Sequence, residues 1–192
     1  KDGNVFTRET LKVVETLTEK AWQIPYSTRV DSISNFQHTY AEGDDLVVED
    51  LITDAEQLSN AELARIKSVA INEPLLKQRL ISPSGHVTSV SATINLPNVD
   101  QTKEVPEVVT FARNLAEEMR VLAPNTEIRL TGMVPMNNAF AESAQGDMMS
   151  LVPLSFAIMF IVLLFLLKSF STTFGTILVI FLSIMTGMGL GG

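Results

Sequence analysis

The sequence predicts an α+β domain of the ferredoxin-like, split βαβ kind, lacking its first strand, followed by an all-α transmembrane hairpin. Two observations lead there. Residues 86–131 read strand, helix, strand, and residues 7–40 read helix then strand, so a second such unit needs one strand ahead of residue 1. A strand-helix-strand unit sets its strands parallel, normally through a right-handed crossover. From Met148 to Leu167 the chain then runs twenty residues without a charge, and after Lys168 it runs uncharged again to Gly192. A hydrocarbon core of about 30 Å needs roughly 20 apolar residues at 1.5 Å rise each. Core helices of soluble proteins usually keep a polar face, whereas Ile158 to Leu167 is apolar all round.

Each element has its own local signal. Thr7 precedes apolar residues at helical spacing, Leu11, Val14, Leu17 and Ala21, and Pro25 closes the run. Thr28 to Tyr40 leans to strand with Val30, Ile33 and Phe36 inward; Glu42-Gly43-Asp44-Asp45 turns the chain and Leu46-Val47-Val48 returns it. Ser59-Asn60-Ala61-Glu62 is a capping-box sequence, continued by Leu63, Ile66 and Ala70. Pro74 interrupts, and Leu75 to Leu80 reads as a second short helix before the Pro83-Ser84-Gly85 turn. From His86 the period changes to two, with Val90, Ala92, Ile94 and Leu96 alternating with polar residues until Pro97. Val105, Val108, Val109, Ala112, Leu115, Ala116, Met119 and Leu122 form the longest helical stripe, with Glu104 and Glu107 where they complement the helix dipole. Pro124-Asn125 ends it; Ile128 and Leu130 alternate in a short strand to Thr131, and Gly132 breaks that. The expected organisation is a soluble domain over 1–132, a linking helix over 133–147, a span over 148–167, a connector over 168–172 and a second span over 173–192.

Charge separates the two parts. All 22 acidic residues lie at or before Asp147, against 13 basic ones, so residues 1–147 carry −9. Nucleic acid and anionic headgroups both call for clustered Lys and Arg, which this domain lacks. The chain has no cysteine, which removes disulfides, thiolate nucleophiles and zinc–thiolate sites. It opens on Lys1-Asp2-Gly3 and closes on Gly191-Gly192 within an apolar segment, and reads as a piece of a longer polytopic protein. Lys168 is the basic residue of the connector, while the stretch from Met133 to Asp147 has none. By the positive-inside rule the connector is cytoplasmic, and residues 1–147 are extracytoplasmic, periplasmic in an inner-membrane protein.

Chemistry-bearing candidates are few. Neither span contains an ionisable residue, and proton relays through membranes need them, so any relay lies elsewhere. Ser183, Gly187 and Gly191, with Gly175, place small residues where helix backbones can approach closely, although Gly is also simply common in membrane helices. Met133, Met136, Met148 and Met149 are candidates for an adaptable apolar cargo surface. His38 and His86 have no partner at ligand or triad spacing, so neither a catalytic nor a metal role is assigned, and no cofactor is implied. The acidic series Glu42, Asp44, Asp45, Glu49 and Asp50 lacks the spacing of a calcium loop and reads as a solvated turn. Trp22, ending an amphipathic helix, is expected in the core.

The order of elements resembles a family. A domain leading through Leu130-Thr131-Gly132 and a polar helix into two spans joined by Leu167-Lys168-Ser169-Phe170 resembles the RND superfamily, in particular its MMPL-like "predicted exporter" branch. Asn72-Glu73-Pro74-Leu75-Leu76 with Leu80-Ile81-Ser82-Pro83-Ser84-Gly85 is similar to that branch's first porter domain, and the Gly-rich end of the second span is similar to its third transmembrane helix. The resemblance implies a multi-pass cell (inner) membrane protein exporting hydrophobic or lipid-like molecules at the expense of a proton gradient, with no enzymatic activity. It implies as partners the bilayer, the remaining helices and second porter domain of the full-length protein, and the cargo; a homo-oligomer stays open. Two other assignments also stay open: a membrane-anchored extracytoplasmic sensor or binding module, and a Sec-type protein-translocation auxiliary subunit.

Overall fold

The computed structural model describes residues 3–190 and divides into two units, 1–138 and 139–192. The first unit is α+β. It begins with α1 (Arg8–Ala21), whose Thr7 side chain accepts a hydrogen bond from the Thr10 N–H, the N-cap that the sequence indicated. α1 separates two apolar cores. Leu11 and Val14 pack with Phe6, Ile33, Leu51, Ile66, Leu76 and Ile81 on one side, and Val13 packs with Leu115, Met119 and Ala123 on the other. Trp22 does not join either: it is the C-cap of α1 and is 51% exposed, because the helix's buried face ends one residue earlier at Ala21.

The run from Thr28 to Tyr40 is not one strand but two in different sheets. β1 (Ser27–Asp31) and β2 (Gln37–Glu42) are separated by a knot of buried polar side chains. The Thr18 hydroxyl donates to the Val14 carbonyl at 2.6 Å and lies 2.9 Å from the Ser32 hydroxyl, and Asn35 Nδ2 donates to the Val30 carbonyl at 2.8 Å. Ser and Asn side chains thus take over backbone hydrogen bonding and turn the chain away from a continued ladder. β2 then pairs antiparallel with β3 (Asp45–Asp50) from Gln37↔Asp50 to Glu42↔Asp45. The two-residue turn holds Gly43 at φ +65°, a conformation Gly adopts without steric cost.

α2 (Asn60–Asn72) has the complete capping box, with Ser59 and Glu62 each bonding the other's backbone N–H. Leu75 to Leu80 is not the expected helix. The Leu76 carbonyl receives the N–H groups of Arg79, Leu80 and Ile81, and Gln78 sits at φ +61°, so the segment closes as successive turns that bury Leu76 and Ile81. That loop in turn occupies residues 86–90: Ser82 N–H bonds Val87 O and Ser89 N–H bonds Leu80 O, each at 2.9 Å, leaving only β4 (Ser91–Ile94) as regular strand. Gly85 at φ +68° lies against Phe6, whose ring would be 3.0 Å from an added Cβ, so both backbone and packing call for glycine there.

β4 pairs antiparallel with β1, Val30 opposite Ala92 and Asp31 opposite Ser91. α3 (Gln101–Leu122) follows, capped by Asp100. Glu104, only 6% exposed, accepts hydrogen bonds from the N–H groups of Asn98, Val99 and Asp100 at 3.0–3.1 Å, which fixes the approach of the chain to the helix. The expected strand at 128–131 is not regular strand: among the described residues no backbone–backbone hydrogen bond involves Glu127–Thr131. Its alternation of Ile128 and Leu130 is present, but a strand needs a partner to pair with. The unit's sheets are therefore two antiparallel pairs, β1–β4 and β2–β3, rather than a single four-stranded sheet.

The C-terminal region is helical. α4 (Met133–Leu167) is continuous through Pro153, and α5 (Phe170–Leu190) follows after Lys168 and Ser169, a tighter connection than the 168–172 expected. Lys168 turns the corner at φ +49°.

Candidate functional site

The first unit encloses an apolar trough of about 670 Å³. It is lined by Val13 and Leu17 of α1, Leu115 and Ala116 of α3, Ser91, Ala92 and Ile94 of β4, and residues 126–132. The same 3.6-residue periodicity that marks α1 and α3 as amphipathic turns their apolar stripes toward this space. Ala92 and Ile94, the inward positions of β4, are only half-buried, as is Ile128.

Polar groups tie the surrounding frame together. Tyr26 O accepts the Asn95 N–H at 2.9 Å, and the Tyr26 hydroxyl donates to Glu107 of α3 at 2.9 Å. That hydrogen bond to a carboxylate holds the Tyr26 hydroxyl above its ordinary titration range. Lys20 of α1 pairs with Glu118 of α3, joining the two helices that line the trough. At the start of α3, Asp100 is held below the usual carboxylate range by Lys103 and by the Thr102 hydroxyl. All these groups are at the surface, so each contributes modestly.

The methionines predicted as a cargo surface are exposed in their own units. Met133 and Met136 are 67% and 46% exposed in the first, and Met133 also lines the trough; Met148 and Met149 are 70% and 74% exposed in the second. Of the small residues, Gly175 and Gly187 face open space, with no atom within 4 Å of an added Cβ, and Ser183 is exposed. Gly191 lies outside the described residues. Neither apolar helix is covered by the chain itself: the most apolar window of α4 is 0% buried and that of α5 6%.

One feature of α5 that apolar counting overlooks is how it handles hydroxyls. Thr173, Thr176 and Thr186 each donate to the carbonyl four residues earlier, at 2.8–2.9 Å. A hydroxyl satisfied by its own helix can enter hydrocarbon without an unpaired polar group. The signal was in the sequence, as Thr within an uncharged helical run.

The titratable candidates stay separate. His38 stacks on Tyr40 in β2 with ring centroids 5.6 Å apart, and His86 Nδ1 contacts the hydroxyls of Ser82 and Ser84 in its own turn. Among the described residues no group of three or more His, Cys, Asp or Glu is placed to hold a metal ion. Asp44, Asp45, Glu49 and Asp50 are solvent-exposed, with Arg65 3.6 Å from Glu49.

Against known protein families, residues 8–192 match the model described as the MMPL family. No curated protein and no solved structure matches the chain.

Proposed function

The chain belongs to the MMPL family of RND-superfamily membrane transporters, and from that premise we propose that it is part of a proton-driven exporter of hydrophobic or lipid-like molecules. In this reading residues 1–132 are a periplasmic porter domain that handles cargo, 133–147 link it to the membrane, and the two spans couple it to a motor formed by other helices. The porter domain is read as a split βαβ, ferredoxin-like sandwich with α1 and α3 on one face of its sheet. The observation that carries the proposal is the extent of the family match, which takes in the charged first unit and both uncharged spans together.

The chemistry fits a coupling role. Lys168, in the turn, is the sole ionisable side chain from Met148 to the end of the chain, so these two helices have no group that can carry a proton across. The open face at Gly175, Ser183 and Gly187 suits close approach of further helices. The exposed methionines offer polarizable, conformationally adaptable surface to an apolar cargo.

The test uses the full-length protein in vesicles with an imposed proton gradient and a fluorescent lipid-like cargo. Transport that stops when a protonophore collapses the gradient supports the proposal; transport that continues at the same rate rules out proton drive. Replacing Met133, Met136, Met148 and Met149 together with Leu is expected to slow cargo movement several-fold, and an unchanged rate removes the methionine surface.

A further inference from the structure

We infer that α4 carries a hinge over Gly146–Pro153, where it enters the membrane, so that its water-side turns swing in one plane against the span that follows. This rests on reading 148–167 as a membrane span and is independent of proton drive and cargo.

Three residues weaken the same stretch of helix, each by a different route. Glycine is the poorest helix former apart from proline, and at Gly146 neither backbone nor packing calls for it. Its φ is not positive, and an added Cβ would meet no atom within 4 Å. The Ser150 hydroxyl donates to the Gly146 carbonyl at 2.8 Å, so that carbonyl is shared between a side chain and the helix ladder, an arrangement that bends helices. Pro153 lies inside α4 and has no N–H to offer the Met149 carbonyl, against which its ring also crowds. Sharp kinks collect at Pro and at Gly/Ser pairs, and this stretch has both.

Their spacing gives the hinge a direction. At about 100° per residue, positions 146, 150 and 153 fall within a sector of about 60° on one face of the helix. The weakened and missing hydrogen bonds therefore lie on one side. α4 opens there and closes toward the opposite face, which carries Ala144, Met148, Leu151 and Ser155. All residues from Ala139 to Ser155 are exposed, so no other part of the chain splints the stretch.

The depth of the hinge makes opening cheap. Asp147 is the last charged residue before the span, and Met149 lies about 3 Å beyond it along the axis. A carbonyl freed at that level is within reach of interfacial water, whereas one freed in mid-span would stay unpaired in hydrocarbon. α5 bonds its threonine hydroxyls to its own carbonyls in the same way but contains no proline, and it serves as the straight reference.

Because residues 1–192 contain no cysteine, the test is spin labelling of the full-length protein in lipid nanodiscs, in a background freed of any cysteine elsewhere. Phe140→Cys, above the hinge, and Ile158→Cys, below it, are each paired with Leu182→Cys on α5; all three positions are exposed. Phe140 is about 15 Å from Ser150 along the axis, so a bend of about 20° moves it by about 5 Å. Pulsed electron–electron double resonance should give a spread of about 5 Å or more for 140–182 and a single narrow distance for 158–182. Gly146→Ala combined with Pro153→Ala, two changes that favour helix and so spare folding, should collapse the 140–182 spread to one narrow distance. A single narrow 140–182 distance in the protein without those two changes, or a spread that survives them, would overturn the hinge. Neither result depends on transport, so failure here leaves the exporter proposal standing.

Discussion

The two units treat the same residue types in opposite ways. In the first, Leu11, Ile33, Ile66 and Met119 are at most 1% exposed; in the second, Ile158, Ile161 and Phe165 are 54%, 64% and 80% exposed. The first unit buries apolar stripes of amphipathic helices against one another and keeps nearly all its charge outside, Glu104 being buried on backbone N–H groups. The second carries uncharged spans either side of Lys168, with Thr173 and Thr186 of α5 bonded back to carbonyls of their own helix. The difference teaches where each unit's stability comes from: water drives the first together, and a bilayer supplies the surroundings of the second.

The largest expected effect that breaks the comparison is in the core. Leu11→Ala, at a site with 0% exposure, should destabilise the soluble unit by about 2–5 kcal/mol. Phe165→Ala removes a larger side chain from α4 and should leave thermal unfolding of the soluble unit unchanged; circular dichroism or limited proteolysis of the full-length protein reads both. A charge reverses the roles. Ile161→Lys should cost about 2.5–3.5 kcal/mol of membrane insertion, measured as the glycosylated or protease-protected fraction. Leu46→Lys, on the exposed ribbon at 72% exposure, should change stability by no more than about 0.5 kcal/mol.

Smaller effects sharpen the picture within the soluble unit. Ser59→Ala removes the α2 cap and should cost about 1 kcal/mol. The smallest is a pH effect at the same cap. Glu62 is held below the usual carboxylate range, first by its hydrogen bonds to Ser59. A carboxylate with a depressed folded pKa contributes stability above its unfolded value, near 4.3, and loses it as pH falls through the folded value. Amide exchange in the first turn of α2 should therefore quicken below about pH 4, and Glu62→Gln should flatten that dependence.

What was legible in the sequence was what neighbours along the chain decide. Thr7 and Ser59 marked helix starts, Gly43 the hairpin turn, and the periodicities of α1 and α3 their inward faces, because each depends on residues within one or two turns. The missed elements depend on distant partners. The Thr28–Tyr40 run was divided by hydroxyls of Ser32 and Ser34 reaching Thr18, sixteen or fewer residues away on a different element. Leu75–Leu80 became turns whose last carbonyl, that of Leu80, is claimed by the Ser89 N–H and the Thr88 hydroxyl. Ile128–Thr131 kept the alternation of a strand without a partner. Of the candidate site, the methionines and the glycine face were legible as residue types, but their exposure was not. The trough was invisible in one dimension, since its lining comes from α1, β4, α3 and 126–132.

In the proposed orientation one chain is divided between two solvents, with its charged domain outside and Lys168 inside. Single cysteines at Leu46 and at Lys168 in the full-length protein, treated in intact cells with a membrane-impermeant maleimide, test it directly. The proposed orientation predicts labelling at Leu46→Cys and labelling at Lys168→Cys only after the membrane is permeabilised. Labelling of Lys168→Cys in intact cells, with Leu46→Cys protected, would contradict it.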